Sequence, residues 1–298
     1  WMSARAACPG GSLSSEMAMS GKSATIRIFE VGPRDGLQNE CRELSVDQRL
    51  ELIRRLVDAG LKDVEIGSFV RASRIPQMAR TDEVARRLPA AGGVRYWGLA
   101  PNRKGLERAL DAGVSHVALV VSASETHNQR NLNRSRRATL AEIEGIAARA
   151  RRENLTSRAY VSTAFGCPYE GDVAPDTVLE VTDALVDLGI TELSLGDTIG
   201  VGHPRRIREL CQCALERYGP ERVALHLHDT QGLAVANALS ALELGMRRFD
   251  GSIGGLGGCP YAPGASGNVG TEDLVNLFRH HAVEVDVDLD RLVSTSRW

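Results

Sequence analysis

Two histidines one residue apart, His226 and His228, end the apolar run of the segment Val223-Ala-Leu-His-Leu-His-Asp-Thr230. On a strand, residues i and i+2 face the same way. Both imidazoles therefore project together from the end of one buried strand. Neutral imidazoles are ligands for divalent cations. Asp35, upstream in Gly32-Pro-Arg-Asp-Gly36, would add a hard oxygen donor if the fold brings it near. With one more oxygen ligand the three make a mixed nitrogen and oxygen site, suited to Mg²⁺, Mn²⁺ or Zn²⁺ with positions open for substrate. Without that convergence they are two core or surface histidines and an ion pair between neighbours, Arg34 and Asp35.

The elements that must position these groups follow one rhythm. Short β-rich runs are expected at 25–31, 63–67, 95–99, 116–121, 157–162, 192–195, 223–227 and 248–252. Helical patterns alternate with them at 46–59, 81–88 and 103–112, then in a long segment ending near 154. They continue at 175–188, from 204 onward, and at 233–244 and 271–281. An acid-x-Gly joint recurs before the strands, in Asp58-Ala-Gly60, Asp111-Ala-Gly113, Asp187-Leu-Gly189 and Glu243-Leu-Gly245. Glycine there is the left-handed cap that ends a helix. Eight strands alternating with helices over about 250 residues predict a (β/α)8 barrel, with its active site at the carboxyl ends of the strands. The barrel is expected over residues 24–291. A doubly wound sheet would carry a glycine-rich phosphate turn after its first strand, and Gly32-Pro-Arg-Asp-Gly36 is not one.

Composition narrows the partners. The 298 residues are 43% hydrophobic and 25% charged with a net charge of -2, enough apolar material for a large core. That balance gives no pull toward nucleic acid or an anionic membrane, and the cluster Arg134, Arg136 and Arg137 reads as a solvated helix face. No apolar run approaches the roughly 18 to 20 residues of a membrane span. The cysteines Cys8, Cys41, Cys167, Cys211, Cys213 and Cys259 lack the spacing of a disulfide scaffold. They read as reduced thiols, which points to the cytoplasm, with an organellar matrix as the alternative. Residues 1–23 are small, polar and Gly/Ser-rich, without the apolar core of a secretory signal, and are expected to be disordered.

Polar residues gather just after the expected strands: Arg34 and Asp35, Glu65 and Ser68, Ser122, Ser124 and Glu125, Tyr160, Ser162 and Thr163, Asp197 and Thr198, His226, His228 and Asp229. The opposite ends are expected to supply mainly glycine and aliphatics. Arg34 is a fixed cation for a developing oxyanion or an ion-pair partner. Glu65 ends an apolar strand, where an unpaired carboxylate is costly, so pairing with Arg34 is the favoured reading over ligand or base. Asp197 reads as a base, a supporting partner or a helix N-cap. Cys259 sits among Gly254, Gly255, Gly257, Gly258, Gly264 and Gly267. So much glycine predicts a flap that closes over substrate. A thiol on it either transfers a proton or is inert.

Together these segments resemble the 3-hydroxy-3-methylglutaryl-CoA lyase family. The resemblance rests on Glu30-Val-Gly-Pro-Arg-Asp-Gly-Leu-Gln-Asn-Glu40, Ser68-Phe-Val70 with Pro76-Gln-Met78, and Gly166-Cys-Pro-Tyr-Glu-Gly171. It extends to Leu195-Gly-Asp-Thr-Ile-Gly-Val-Gly202, His226-x-His-Asp229, Ser252-Ile-Gly-Gly-Leu-Gly-Gly-Cys-Pro-Tyr261 and Gly264-Ala-Ser-Gly-Asn268. It implies metal-dependent retro-Claisen cleavage of a CoA thioester to acetyl-CoA and acetoacetate. It implies Asp35, His226, His228 and Asn268 as ligands of Mg²⁺ or Mn²⁺. Arg34 would stabilise the enolate, with Glu65 in support and Cys259 in proton transfer. Asn131 would lie near the CoA moiety, Tyr160, Asp197 and Thr198 would line the substrate, and a homodimer is implied. Ile66-Gly67, Arg71-Ala-Ser-Arg74 and Thr126-His-Asn-Gln129 depart from the family pattern at positions that border its pocket. They leave citramalyl-CoA or a longer-branched 3-hydroxyglutaryl-CoA as alternative substrates. The cysteine loop argues against a condensing synthase. The combination of acid, base, metal and flap argues against a metal-binding scaffold.

Overall fold

A parallel strand covered on both faces needs side chains for two interiors. In the computed structural model, which describes residues 25–89, 92–258, 267–281 and 283–298, those interiors are the helix layer outside a barrel and the lumen within it. The strands are β1 (Arg27–Glu30), β2 (Asp63–Ser68), β3 (Arg95–Leu99), β4 (His116–Ser122), β5 (Thr156–Ser162), β6 (Glu192–Asp197), β7 (Val223–Leu227) and β8 (Arg248–Gly251). They pair in parallel in chain order, and β8 returns to β1 to close the barrel. The helices are α1 (Val46–Asp58), α2 (Thr81–Arg87), α3 (Arg103–Asp111), α4 (Glu125–Leu132) and α5 (Arg136–Arg152). They continue with α6 (Pro175–Asp187), α7 (Pro204–Tyr218), α8 (Ala234–Glu243), α9 (Thr271–His280) and α10 (Leu289–Arg297). The expectations for residues 1–23 and for Cys259 fall outside the described residues. No helix among those described is long and apolar enough to cross a membrane.

Local signals explain the element ends. Ser45 and Gln48 form a reciprocal capping box at the start of α1. Pro175 and Pro204 occupy first-turn positions, where the missing N–H costs nothing. The glycines of the acid-x-Gly joints, Gly60, Gly113, Gly189 and Gly245, all have positive φ. Outward-facing Ile28, Val64, Val117, Leu119, Val161, Leu193 and Leu225 bury against the helices in one continuous core. Full burial of each such side chain stabilises by roughly 1.5–3 kcal/mol.

The structure corrects the sequence reading in four places. The expected long helix ending near 154 is two helices, because Asn133 takes a left-handed conformation and Ser135 caps α5 through the Ala138 N–H. A further helix, α10, packs on α1 and runs past residue 291. Ile66 and Gly67 do not border the cavity. The pairing of β2 with β3 shifts between Glu65 and Gly67, and this bulge turns Gly67 outward. A Cβ there would meet Thr81 Oγ1 at 2.7 Å, and φ is 153°. Arg49 donates to the Ile66 carbonyl at 3.0 Å beside it.

The fourth correction concerns the amino ends of the strands, which carry charge rather than glycine and aliphatics. Asp63, fully buried, accepts from Arg27 (2.6 and 2.6 Å), Arg95 (2.7 and 2.5 Å) and Trp97 Nε1 (2.9 Å). Glu192 accepts from Arg27 at 2.9 Å and Arg248 at 2.8 Å. Strand residues alternate between faces, so aliphatic runs that pack outward carry a charged residue inward. Phe29, Val31 and Trp97 form a separate apolar cluster. Phe29 and Trp97 pack at a tilt with ring centroids 5.3 Å apart.

At the other end of β1, Glu30 ties the barrel to the segment after β8. Its carboxylate accepts from Gly32 N at 2.7 Å, Ile253 N at 2.9 Å and Thr271 Oγ1 at 2.6 Å. Burial pushes its pKa from an ordinary 4.5 up to about 7 despite those hydrogen bonds.

Two outcomes follow for stability. Asp63→Ala leaves Arg27 and Arg95 facing each other over a fully buried position and should cost about 3 kcal/mol in urea unfolding. Wild-type unfolding at equal stability would contradict the ionic plug. Glu30 is held protonated in the folded state more tightly than in the unfolded chain. Its contribution is complete below pH 4.5 and is lost as pH rises through about 7. Glu30→Gln lacks that loss, so its stability relative to wild type should rise by about 2 kcal/mol between pH 5 and pH 8.

Candidate active site

The chain leaves β1 through a single wide helical turn, Gly32–Gly36, with Pro33 at its start. Such turns are rare and frequent at functional sites. This one sends Arg34 and Asp35 over the carboxyl mouth of the barrel. Arg34 Nε donates to Glu65 Oε2 at 2.6 Å, and Nη1 contacts the Asp35 carboxylate. Tyr160, from β5, donates its hydroxyl to the same Glu65 oxygen at 2.9 Å, and its ring lies 5.0 Å from the Arg34 guanidinium carbon. Glu65 is therefore the partner of Arg34, as its sequence setting suggested.

These groups are desolvated, so their charge states depend on one another. Burial alone would strip the Arg34 charge, but the Glu65 and Asp35 carboxylates hold it well above its ordinary pKa. Burial would protonate Asp35, yet Arg34 and the two imidazoles hold it well below the carboxylate range. Burial raises Glu65 against the pull of Arg34. Burial lowers His228, which favours the neutral imidazole a metal requires.

Asp35, His226 and His228 converge as the sequence spacing anticipated. One donor atom from each lies within 4.8 Å of the others, and all three side chains are largely shielded. Asp35 Oδ2 stands 3.8 Å from His226 Nε2 and 3.7 Å from His228 Nε2. Asn268 bridges to His228 and donates its amide to Asp35 Oδ2 at 3.0 Å. Its Oδ1 is buried without a partner. Gln38 Nε2 braces the other Asp35 oxygen at 2.7 Å. One carboxylate, two imidazoles and an orphaned amide oxygen are the donor types of a divalent-cation site with open positions. Charge agrees. At the mouth the shielded carboxylates Asp35, Glu65 and Asp250 are three, and the guanidiniums that pair with them, Arg34 and Arg158, are two. This is a candidate divalent-metal centre.

The cluster opens into a cavity of about 1010 Å³. Tyr160, Ser162, Thr198, Asn131 and Gly258 are in its wall, and Arg71, Arg74, Lys104 and Arg130 reach its outer part. Asn131 is exposed on α4, and Thr198 accepts from Thr163 N at 2.7 Å. Asp197 is not brought to the cavity wall. Its two oxygens accept from Val201 N at 3.0 Å and Gly202 N at 2.9 Å, fixing the loop before α7 rather than capping the helix. Burial still pushes its pKa up to about 6. Cys259 lies outside the described residues, but Gly258 immediately before it lines the cavity, held through its carbonyl by Asn39 at 3.0 Å.

Sequence reasoning missed two groups, Gln38 and Asp250. Gln38 follows Asp35 by one helical turn, a spacing that could have revealed it. Asp250 follows Phe249 in β8, Arg248-Phe-Asp-Gly251, a strand too short and too charged to single it out as the apolar flanks did for Glu65. Thr163 was among the residues expected after the fifth strand, but its φ of 58°, a strained conformation for a β-branched residue, is announced by nothing in its local sequence.

Comparison with known proteins agrees with this architecture. A family model described as HMGL-like matches residues 25–298. Hydroxymethylglutaryl-CoA lyase YngG of Bacillus subtilis is 45% identical over 273 residues, covering 92% of this chain and 91% of that protein. (R)-citramalyl-CoA lyase of Chloroflexus aurantiacus is 42% identical over 283 residues, covering 92% and 89%. The structure of an HMG-CoA lyase from Acinetobacter baumannii, in complex with coenzyme A and 3-methylmalate, superposes with a TM-score of 0.89. It is 38% identical and covers 94% of this chain and 91% of that one. A barrel closed in this order, a buried Asp-His-His cluster beside an Arg-Glu pair, and matches along nearly the whole chain have one reading: the protein belongs to the HMGL-like family, with the hydroxymethylglutaryl-CoA lyases.

Proposed function

We propose that the chain cleaves (S)-3-hydroxy-3-methylglutaryl-CoA to acetyl-CoA and acetoacetate, with Mg²⁺ or Mn²⁺ as the cation. The observation that carries this is the buried Asp35, His226 and His228 cluster standing beside Arg34, at the head of a cavity of about 1010 Å³. The names of the relatives support the substrate, and the coenzyme A in the Acinetobacter baumannii structure supports a CoA thioester.

Asp35, His226, His228 and Asn268 are the residues that would hold the cation. When bound it supplies Lewis acidity, lowering the pKa of the substrate hydroxyl and fixing the oxygens it meets. As a base takes the proton of the 3-hydroxyl, C3 becomes the ketone of acetoacetate, and the electrons of the C2–C3 bond pass into the thioester as an enolate. Arg34 is fixed by Glu65 before substrate arrives, so it meets the new oxyanion without reorganising. Tyr160 keeps Glu65 aimed at Arg34. Asn131 and Thr198 contact the bound thioester from the cavity wall. Cys259, next in sequence to Gly258, gives a proton to C2 of the enolate and completes acetyl-CoA. Asp197 supports the site by holding the loop that carries Thr198.

A second reading is cleavage of citramalyl-CoA or a longer-branched 3-hydroxyglutaryl-CoA. Arg71, Arg74 and His127, from two segments that depart from the family pattern, do line the cavity. A relative of 42% identity is a citramalyl-CoA lyase.

Incubation with 3-hydroxy-3-methylglutaryl-CoA and Mg²⁺ or Mn²⁺ should release acetoacetate and acetyl-CoA in equal amounts, and EDTA should abolish it. Arg34→Gln should lower kcat at least about 100-fold with the far-ultraviolet spectrum unchanged. No cleavage by protein that binds the cation would sink the substrate assignment. A higher kcat/KM for citramalyl-CoA would favour the second reading.

A further inference from the structure

Below the two imidazoles lies a buried polar assembly to which the proposed chemistry gives no task. Asp250 on β8 is level with His226 on β7. Its Oδ2 is 3.3 Å from His226 Nδ1. That nitrogen is buried and has no partner in full hydrogen-bond geometry, and the Asp250 carboxylate is the acceptor it faces. The carboxylate is itself held from the far side of the lumen. Arg158 Nη2 donates to its two oxygens at 2.9 and 3.1 Å, and Ser194 Oγ donates to Oδ2 at 2.7 Å. Arg158 is fixed in turn, its guanidinium carbon 3.6 Å from the Phe29 ring centroid and 4.9 Å from that of Tyr160. Its Nε lies 3.1 Å from Glu192. Asp250, Arg158 and Ser194 are all essentially without solvent contact.

A carboxylate can only accept, and a neutral imidazole carries one N–H. The nitrogen facing Asp250 must therefore be the protonated one. The lone pair is then on Nε2, the atom that faces Asp35. Tyr160 meets the ring edge-on, with centroids 5.7 Å apart, and limits its rotation. We propose that Asp250 is the positioning residue of the metal centre: it accepts the Nδ1–H of His226 and so fixes the tautomer and ring direction that make Nε2 a ligand. This rests on the reading of Asp35, His226 and His228 as a cation site. Outer hydrogen bonds of this kind are a general lever on metal affinity. Arg158 serves both halves of the mouth, His226 through Asp250 and Arg34 through Tyr160 and Glu65.

The test has two arms. In cation-free protein labelled with ¹⁵N-histidine, long-range proton–nitrogen spectra near pH 8 report each tautomer, and His226 is assigned by its loss in His226→Gln. The Nδ1–H form is expected. A predominant Nε2–H form would overturn the proposal, whether or not the protein turns over any thioester. In calorimetric titration with Mn²⁺, Asp250→Asn should weaken binding by about 10- to 100-fold. The double variant with His226→Gln should bind no worse than His226→Gln alone, because Asp250 acts through that ring. Binding of Asp250→Asn within twofold of wild type, or a further loss in the double variant, would also overturn it. If Asp250→Asn does not fold, Ser194→Ala removes one brace of the carboxylate and should weaken Mn²⁺ binding in the same direction. Wild-type protein that takes no Mn²⁺ would refute the metal reading, and the tautomer would still decide the role of Asp250.

Discussion

Charges inside a closed barrel have no water to neutralise them, so each must find another charge. The lumen here is built on that constraint. Barrel interiors are commonly filled by layers of branched aliphatics. This one stacks an ionic plug around Asp63 and Glu192, a thin apolar layer around Phe29 and Trp97, and a second ionic layer at the mouth. Arg158 crosses between the two ionic layers, touching Glu192 below and Asp250 above. Removing one partner of such a set is costly because the other charge remains buried. The network therefore fixes the mouth residues more tightly than loops on an aliphatic core would.

At the mouth, the same constraint sets up chemistry. One guanidinium, Arg34, is shared between Glu65 and Asp35, and the carboxylates among the buried groups outnumber the guanidiniums. A divalent cation held by Asp35 and the imidazoles would offset that excess and leave the site positive toward an anionic substrate. The supporting backbone is correspondingly irregular. A wide turn presents Arg34 and Asp35, a bulge follows Glu65, and Thr163 holds a left-handed conformation beside Thr198. Strain of this kind survives only where the surroundings determine the conformation.

Much of this was legible in the sequence, for physical reasons. Strand alternation placed His226 and His228 on one side, and an apolar flank made Glu65 a paired group before Arg34 was seen beside it. The acid-x-Gly joints marked the barrel rhythm. The lumen charges were not legible, because strands of four to seven residues offer only two to four inward positions. Asp63 and Glu192 therefore looked like strand boundaries. Ile66 and Gly67 were misplaced because the bulge that turns them outward is fixed by Arg49 and Thr81, distant in sequence. Asp197 looked like a cavity group because the hydrogen bonds that use its oxygens come from Val201 and Gly202, in a loop whose path no local pattern reveals. The break before α5 did leave a trace in Asn133 and Ser135, a left-handed residue and a cap.

The account turns on a cation held by two imidazoles. Pulsed electron paramagnetic resonance of the Mn²⁺-loaded protein reads this directly, since a bound imidazole nitrogen modulates the electron-spin echo. Two nitrogen couplings are predicted, one lost in His226→Gln and the other in His228→Gln. A spectrum of bound Mn²⁺ with no nitrogen coupling would place the metal elsewhere and contradict the account.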